Sequence, residues 1–271
     1  MDAQVIDALP TVHATLNYIV RGGPRPYAYT YPPPEGTPWR TGEIEKARGV
    51  AIRDARSLSP SLSLNEEGFE FHPHVTKVAD FYDEAQLRDV YEPEIEAFLK
   101  STTGAEKVVV FDHTVRSPAR GRAGTVRQVH NDYTASSGPR RVRDHLAADE
   151  AEWRLMRRYL EVNVWRPIRG PLEDQPLAVC DARSIAADDL IASDLIYRDK
   201  VGETYSLAYN PAHRWFYFPR MEASEAIILK CFDSDPESPG RYTAHSAFYD
   251  PTAPQNPRPR ESIETRALIF F

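Results

Sequence analysis

Two hydrophobic periods divide this chain. From Asp83 to Gly104, DEAQLRDVYEPEIEAFLKSTTG repeats apolar side chains at spacings of three and four (Leu87, Val90, Tyr91, Ile95, Phe98, Leu99), the stripe of one helix face. Pro93 inside it marks a kink or a restart. A second helix is expected in DEAEWRLMRRYL, residues 149–160, with Trp153, Met156, Tyr159 and Leu160 as its buried face. Elsewhere the period falls to two. EKVVVFDHTV, YLEVNVWRPI, QPLAVCDARSI, TYSLAYNP, HRWFYFPRM, EAIILKCFDSD, RYTAHSAFY and ESIETRALIFF are short, rich in β-branched and aromatic residues, and bounded by Pro, Gly, Asp and Asn. Strands in that number beside two helices predict an α+β protein built on an antiparallel barrel or a double-sheet jelly roll. The stretch YAYTYPPPEGTPW, residues 27–39, cannot be helical and is expected as an extended, Pro-rich N-terminal arm lying on the domain. A packing role for this arm is favoured over a cover for an active-site mouth.

Composition narrows the class. With 271 residues, 41% of them hydrophobic, the chain suits a single domain over 1–271. Its net charge of −7 arises from 33 basic and 40 acidic residues that are mixed along the chain, so no nucleic-acid partner is expected. The opening segment lacks a basic region followed by an apolar core, and no apolar run approaches the ~20 residues of a membrane span. A soluble protein with no membrane partner is expected. Cys180 and Cys231 are the only cysteines and lack C-x-x-C spacing, which favours a reducing, cytoplasmic setting. Nothing in the sequence specifies an oligomeric state.

Candidate chemistry begins at VRQVHNDYT, where His130 and Asp132 lie two positions apart. On a strand, positions i and i+2 share a face about 6 to 7 Å apart, so both side chains can converge on one ion. The plain alternative is a hydrogen-bonded turn pair. Two histidines and a carboxylate on one face leave open positions on a divalent metal, as in non-haem Fe(II) oxygenases. Of the eight histidines, His245 in the late strand candidate RYTAHSAFY best supplies the second imidazole, with His213 in reserve. His72 and His74 flank a Pro with no carboxylate in register, and His145 is read at a helix start as a capping or surface residue. Farther on, RESIETR sets Arg260 and Ser262 on one face, a guanidinium fork and a hydroxyl able to hold one carboxylate of a 2-oxo acid. Arg266 has the same parity and is the alternative.

Weaker substrate candidates follow from parity as well. Asn163 and Trp165 share a face with Glu161 and are read toward the barrel interior. Arg116 lines up with Asp112 and Thr114 and could meet a substrate carboxylate, although a solvated basic edge with Arg120 and Arg122 is the favoured reading. Tyr217 is read as core.

HND, AHS and RES, in that order, resemble the Fe(II)/2-oxoglutarate-dependent oxygenases. VHNDYT, NVWRPI, HRWFYFPRM, KCFDS, FYDPTAP and PRESIETRAL are similar to one group among them. That group contains gibberellin-desaturase-like proteins, the hydroxylase/desaturase of aspergillic acid-type pathways and the cephamycin 7α-methoxylation subunit. The resemblance spans roughly residues 15 to 271. It implies a double-stranded β-helix (jelly roll) core of mainly antiparallel strands with flanking helices. It also implies His130, Asp132 and His245 as Fe(II) ligands and Arg260 with Ser262 as the 2-oxoglutarate site, O2 being the second co-substrate. The implied activity is hydroxylation, desaturation or oxidative cyclisation of a small molecule in specialised metabolism. The methoxylation subunit suggests a different class as alternative, a noncatalytic partner of another tailoring enzyme such as a methyltransferase. A barrel that binds metal without a 2-oxo acid is a third reading.

Overall fold

The strand Tyr159–Pro167 is buried along its whole length, which requires a layer on each of its faces. The computed structural model, which describes residues 3–271, supplies both. On one side Leu160, Val162 and Val164 pack beneath the helical stretch 84–103 in a cluster with Leu87, Tyr91, Ile95 and Leu99. On the other side Trp165 joins the core between two sheets, with Val179, Phe216 and Leu229. Alternation along one strand thus separates an apolar face under the helix from a face carrying Glu161 and Asn163 into the interior.

The smaller sheet runs Phe69–Pro73, Glu225–Asp233, Tyr159–Pro167, Ser262–Phe270, Lys107–Arg116, all neighbours antiparallel. The larger sheet has nine strands, in the order Thr11–Ile19, Ile44–Asp54, Trp215–Tyr217, Leu177–Cys180, His245–Ala247, His130–Asn131, Val201–Leu207, Leu190–Ile196 and Tyr27–Tyr29. Parallel pairing occurs at Trp215–Tyr217 beside Ile44–Asp54 and at Tyr27–Tyr29 beside Leu190–Ile196. Two facing sheets of mainly antiparallel strands with few helices make the double-stranded β-helix expected from the sequence.

The first helical stripe is confirmed, with Leu87, Tyr91, Ile95 and Leu99 all buried. Leu87–Tyr91 is wound as a π-helical turn that runs on into regular α-helix from Glu92, and Pro93, which has no N–H to give to the preceding turn, stands just after it. The second helical expectation is corrected. That helix is Ala148–Leu155 and ends before Tyr159 and Leu160, which belong to the following strand. Its buried residues are Ala151 and Arg154, whereas Trp153 is 39% and Met156 77% exposed. Trp153 finds its partners on the surface, under the guanidinium groups of Arg154 and Arg157 at 4.6 and 4.2 Å. His145 is corrected too: it ends the helix Ser137–His145 instead of starting one.

Four strands precede residue 106 that the sequence reading did not assign. Thr11–Ile19 alternates strictly over most of its length, with Val12, Ala14, Leu16 and Tyr18 inward. In Ile44–Asp54 exposed charged residues obscure the signal, since only Ala47 and Ile52 are buried. In the arm, Tyr27–Tyr29 forms an edge strand and the rest stays irregular. Among the described residues, no helix is long and apolar enough to cross a membrane.

The two helices make opposite stability predictions. Ile95→Ala should cost about 2–5 kcal/mol of unfolding free energy, because a fully buried side chain leaves a cavity. Met156→Ala should stay within about 0.5 kcal/mol of the parent. Paired urea denaturation curves test both, and a large loss at Met156 would contradict the surface assignment.

Candidate metal centre

His130 and His245 lie on neighbouring strands of the larger sheet, directly opposite one another in register. Asp132 follows the first strand and turns its carboxylate to the same spot. His130 Nε2 lies 3.6 Å and His245 Nε2 3.9 Å from Asp132 Oδ1. One ligand atom from each of the three side chains falls within 4.8 Å of the others.

Each imidazole is oriented from behind. His130 Nδ1 is 2.7 Å from the Gln128 carbonyl and His245 Nδ1 3.3 Å from that of Thr243. A carbonyl only accepts, so Nδ1 carries the proton and Nε2 presents a lone pair to the centre. Burial and the neighbouring His245 push His130 down to about 4, which keeps its ring neutral at physiological pH. Burial opposes charge on Asp132 as well, but Arg266, His245, His130 and Asn163 together hold its carboxyl well below the usual range. Inside this cluster His245 Nε2 is buried without any hydrogen-bond partner. A buried lone pair lacking a donor, beside a second imidazole and an ionised carboxylate, fits a divalent cation. Two nitrogens and one oxygen would leave the remaining coordination positions open.

The sequence-predicted residues around this triad come from the smaller sheet. Asn163 Nδ2 donates to Asp132 Oδ2 at 2.8 Å, and Arg266 Nε donates to the same oxygen at 2.9 Å. Arg266 also meets Asp112 at 2.5 Å, Thr114 at 2.9 Å and Glu264. Its guanidinium is therefore occupied within the protein.

Arg260 is the opposite case. It precedes the strand that begins at Ser262, yet its Nε donates to Ser262 Oγ at 2.9 Å and its Nη1 to the Gln175 carbonyl at 2.8 Å. The guanidinium lies over the Trp165 ring at 4.9 Å and is 4% exposed. Burial, then Arg116, push Arg260 down to about 9, and among the described residues it makes no ion pair. A buried cation without an anion is costly unless a ligand supplies one. Arg116 stands opposite Ser262 in the ladder and donates to the Gly124 carbonyl.

Two cavities meet at Asp132 and Arg266. The smaller, about 300 Å³, is lined by His130, Arg116 and Gln128 and by Tyr27 and Ala28 of the arm, so the arm does border the site. The larger, about 460 Å³, lies against Phe111, Tyr133, Arg141, His145, Leu195 and Tyr197. The stretch between Asp132 and Tyr159 is thus a wall of this cavity, through Arg141 and His145 on one helix. His145 stacks on Phe111 at 4.5 Å, a role that the sequence reading missed. Of the hairpin Leu190–Leu207 only the end was expected, through TYSLAYNP, and its first strand Leu190–Ile196 was missed, although YRDKVG between two alternating runs is a turn signal. Glu161, also inward-facing, is pushed well up by burial, and neither of its carboxylate oxygens has a partner.

Comparisons with known proteins agree with this geometry. A family described as the oxidoreductase/YMDC permease-like domain matches residues 16–270. The hydroxylase/desaturase efuI of Hormonema carpetanum is 32% identical over 97% of this chain and 96% of its own length. The Fe(II)/2-oxoglutarate-dependent dioxygenase nvfI of Aspergillus novofumigatus is 34% identical over 82% of each chain. A solved structure of the iron and alpha-ketoglutarate-dependent endoperoxidase NvfI superposes with a TM-score of 0.87 at 28% identity, covering 96% of this chain and 98% of that one. Similarity along nearly the whole length, in sequence and in fold, means that this chain belongs to the Fe(II)/2-oxoglutarate-dependent dioxygenases, in the group of the hydroxylase/desaturase enzymes.

Proposed function

We propose that residues 1–271 form one oxygenase domain, working in the cytoplasm, that hydroxylates, desaturates or cyclises a small molecule of specialised metabolism. His130, Asp132 and His245 hold Fe(II), and Arg260 with Ser262 holds the distal carboxylate of 2-oxoglutarate. The observation that carries this reading is the buried, unpartnered Nε2 of His245 aimed at Asp132, beside the equally directed Nε2 of His130. Bound Fe(II), with 2-oxoglutarate and O2, supplies the oxidant that removes hydrogen from the substrate.

The remaining work belongs to the chain. Arg260 is chosen over Arg266 because its guanidinium lacks an anion, whereas that of Arg266 is taken by Asp132, Asp112 and Glu264. Arg116, opposite Ser262, lines the smaller cavity, so 2-oxoglutarate is assigned to that side. The substrate is assigned to the larger cavity, whose volume suits a small organic molecule. Phe111, Leu195 and Tyr197 give it apolar walls, and Arg141 and His145 give it polar ones. Asn163 serves Asp132 and Trp165 supports Arg260, which takes both away from direct substrate contact.

Anaerobic titration with Fe(II) and 2-oxoglutarate should develop the weak visible charge-transfer band of the chelate. Asp132→Ala should abolish that band and turnover while the circular dichroism spectrum is unchanged. A variant that kept the band would remove Asp132 from the metal site. Arg260→Ala should weaken 2-oxoglutarate by about 10- to 1,000-fold, ~1.5–4 kcal/mol, with Fe(II) affinity nearly unchanged. If Arg266→Ala alone gave that selective loss, the two arginines would exchange roles.

A third measurement separates an enzyme from a partner subunit. The purified chain with Fe(II), ascorbate, O2 and 2-oxoglutarate should form succinate slowly, and faster with a substrate from a panel of amino-acid and terpenoid acids. No chelate band together with no succinate across the panel would leave the partner-subunit reading.

A further inference from the structure

The fold treats the two oxygens of Asp132 differently. Oδ1 faces Nε2 of His130 and His245, at 3.6 and 3.9 Å. Oδ2 faces away and receives two N–H donors, Asn163 Nδ2 at 2.8 Å and Arg266 Nε at 2.9 Å. These donors stand directly opposite one another on paired strands, so a single register position of the smaller sheet delivers both.

Resting on the metal assignment above, we propose that Arg266 and Asn163 are positioning residues that make Asp132 a one-oxygen ligand. Two donors occupy both lone-pair directions of Oδ2, so only Oδ1 is free to bind an ion. A carboxylate bound through both oxygens would take one more coordination position, and 2-oxoglutarate and O2 need every position that the two histidines leave. The lock does not depend on the ion for its aim. Arg266 is held from a second strand by Asp112 and Thr114 and from its own by Glu264. Three carboxylates around one guanidinium also fix its charge and its plane.

Asn163 carries the argument further than an ion-pair network alone would. Its amide brings no charge, and its Oδ1 is buried without a partner, a cost to folding. Leu160, Val162 and Val164 on the other face of the strand show what stability by itself selects. The amide's one hydrogen bond falls on the oxygen of Asp132 that points away from the two histidines.

The test is Mn(II) affinity by calorimetry, together with the visible spectrum of the Co(II)-substituted protein, in the wild type and in Asn163→Leu, Arg266→Lys and Arg266→Met. Asn163→Leu should weaken Mn(II) by about 10-fold and Arg266→Met by up to about 100-fold, the range for losing a hydrogen bond behind a metal ligand. Arg266→Lys should recover part of that loss. The Co(II) spectrum should change in Asn163→Leu as Asp132 Oδ2 joins the coordination sphere, while the metal-free protein melts no lower than the wild type, an outcome that a purely structural amide would not give. If Arg266→Met does not fold, the Asn163→Leu and Arg266→Lys results decide. Wild-type affinity and spectrum in both of those variants would overturn the inference and leave the metal site standing. A wild-type protein that binds no Mn(II), with Asp132→Ala indistinguishable from it, would overturn the metal site and the inference together.

Discussion

The antiparallel pairing of Tyr159–Pro167 with Ser262–Phe270 is the constraint on which the rest of the structure depends. Both strands are buried on both faces, apart from a partly accessible Arg266. Their outer face, mostly apolar but for Arg166 and Thr265, is covered by the long helix. Their inner face carries Glu161, Asn163, Ser262, Glu264 and Arg266 into the interior between the sheets, where only Arg266 is partly accessible. Polar groups in such a place are costly unless paired, and pairing there is electrostatically stronger than at a surface. The larger sheet answers with Asp132, whose carboxylate is the acceptor that Asn163 and Arg266 share.

Pairing is incomplete at several buried groups, and two of them stand at the proposed ligand positions. His245 Nε2 lacks a donor, and Arg260 lacks an anion. One asks for a cation and the other for a carboxylate. Arg266, of similar chemistry and on the same strand as Ser262, asks for nothing because three carboxylates already surround it. The difference between the two arginines is one of company, not of residue type.

The cavities extend the same logic outward. The larger is walled by the helix Ser137–His145 and by the hairpin Leu190–Leu207, whose second strand also pairs with the strand that carries His130. The helix contributes Arg141 and His145 to that wall without pairing to either sheet, so side chains there can be exchanged at little cost to the ligand cluster.

Much of the candidate site's geometry was legible in the chain because its signals are local. A strand sets positions i and i+2 on one face, and that rule alone joined His130 to Asp132, Asn163 to Trp165 and Arg260 to Ser262. The order of the strand candidates singled out His245. The expectations that failed depended on what a segment would meet. Trp153 and Met156 have helical spacing, but no layer lies over them, and they stay at the surface. The early strand Ile44–Asp54 carries too many exposed charges for its period to show. Parity placed Arg260 and Arg266 alike on the inner face, and only the Ser262 that follows Arg260, as in the family pattern, favoured one over the other. The tertiary structure does so by bringing Asp132 to Arg266 across 134 positions of chain while leaving Arg260 among a hydroxyl, a carbonyl and an indole. Facing direction is a property of the backbone period and can be read along a strand, whereas which charge meets which is decided only when the two sheets close.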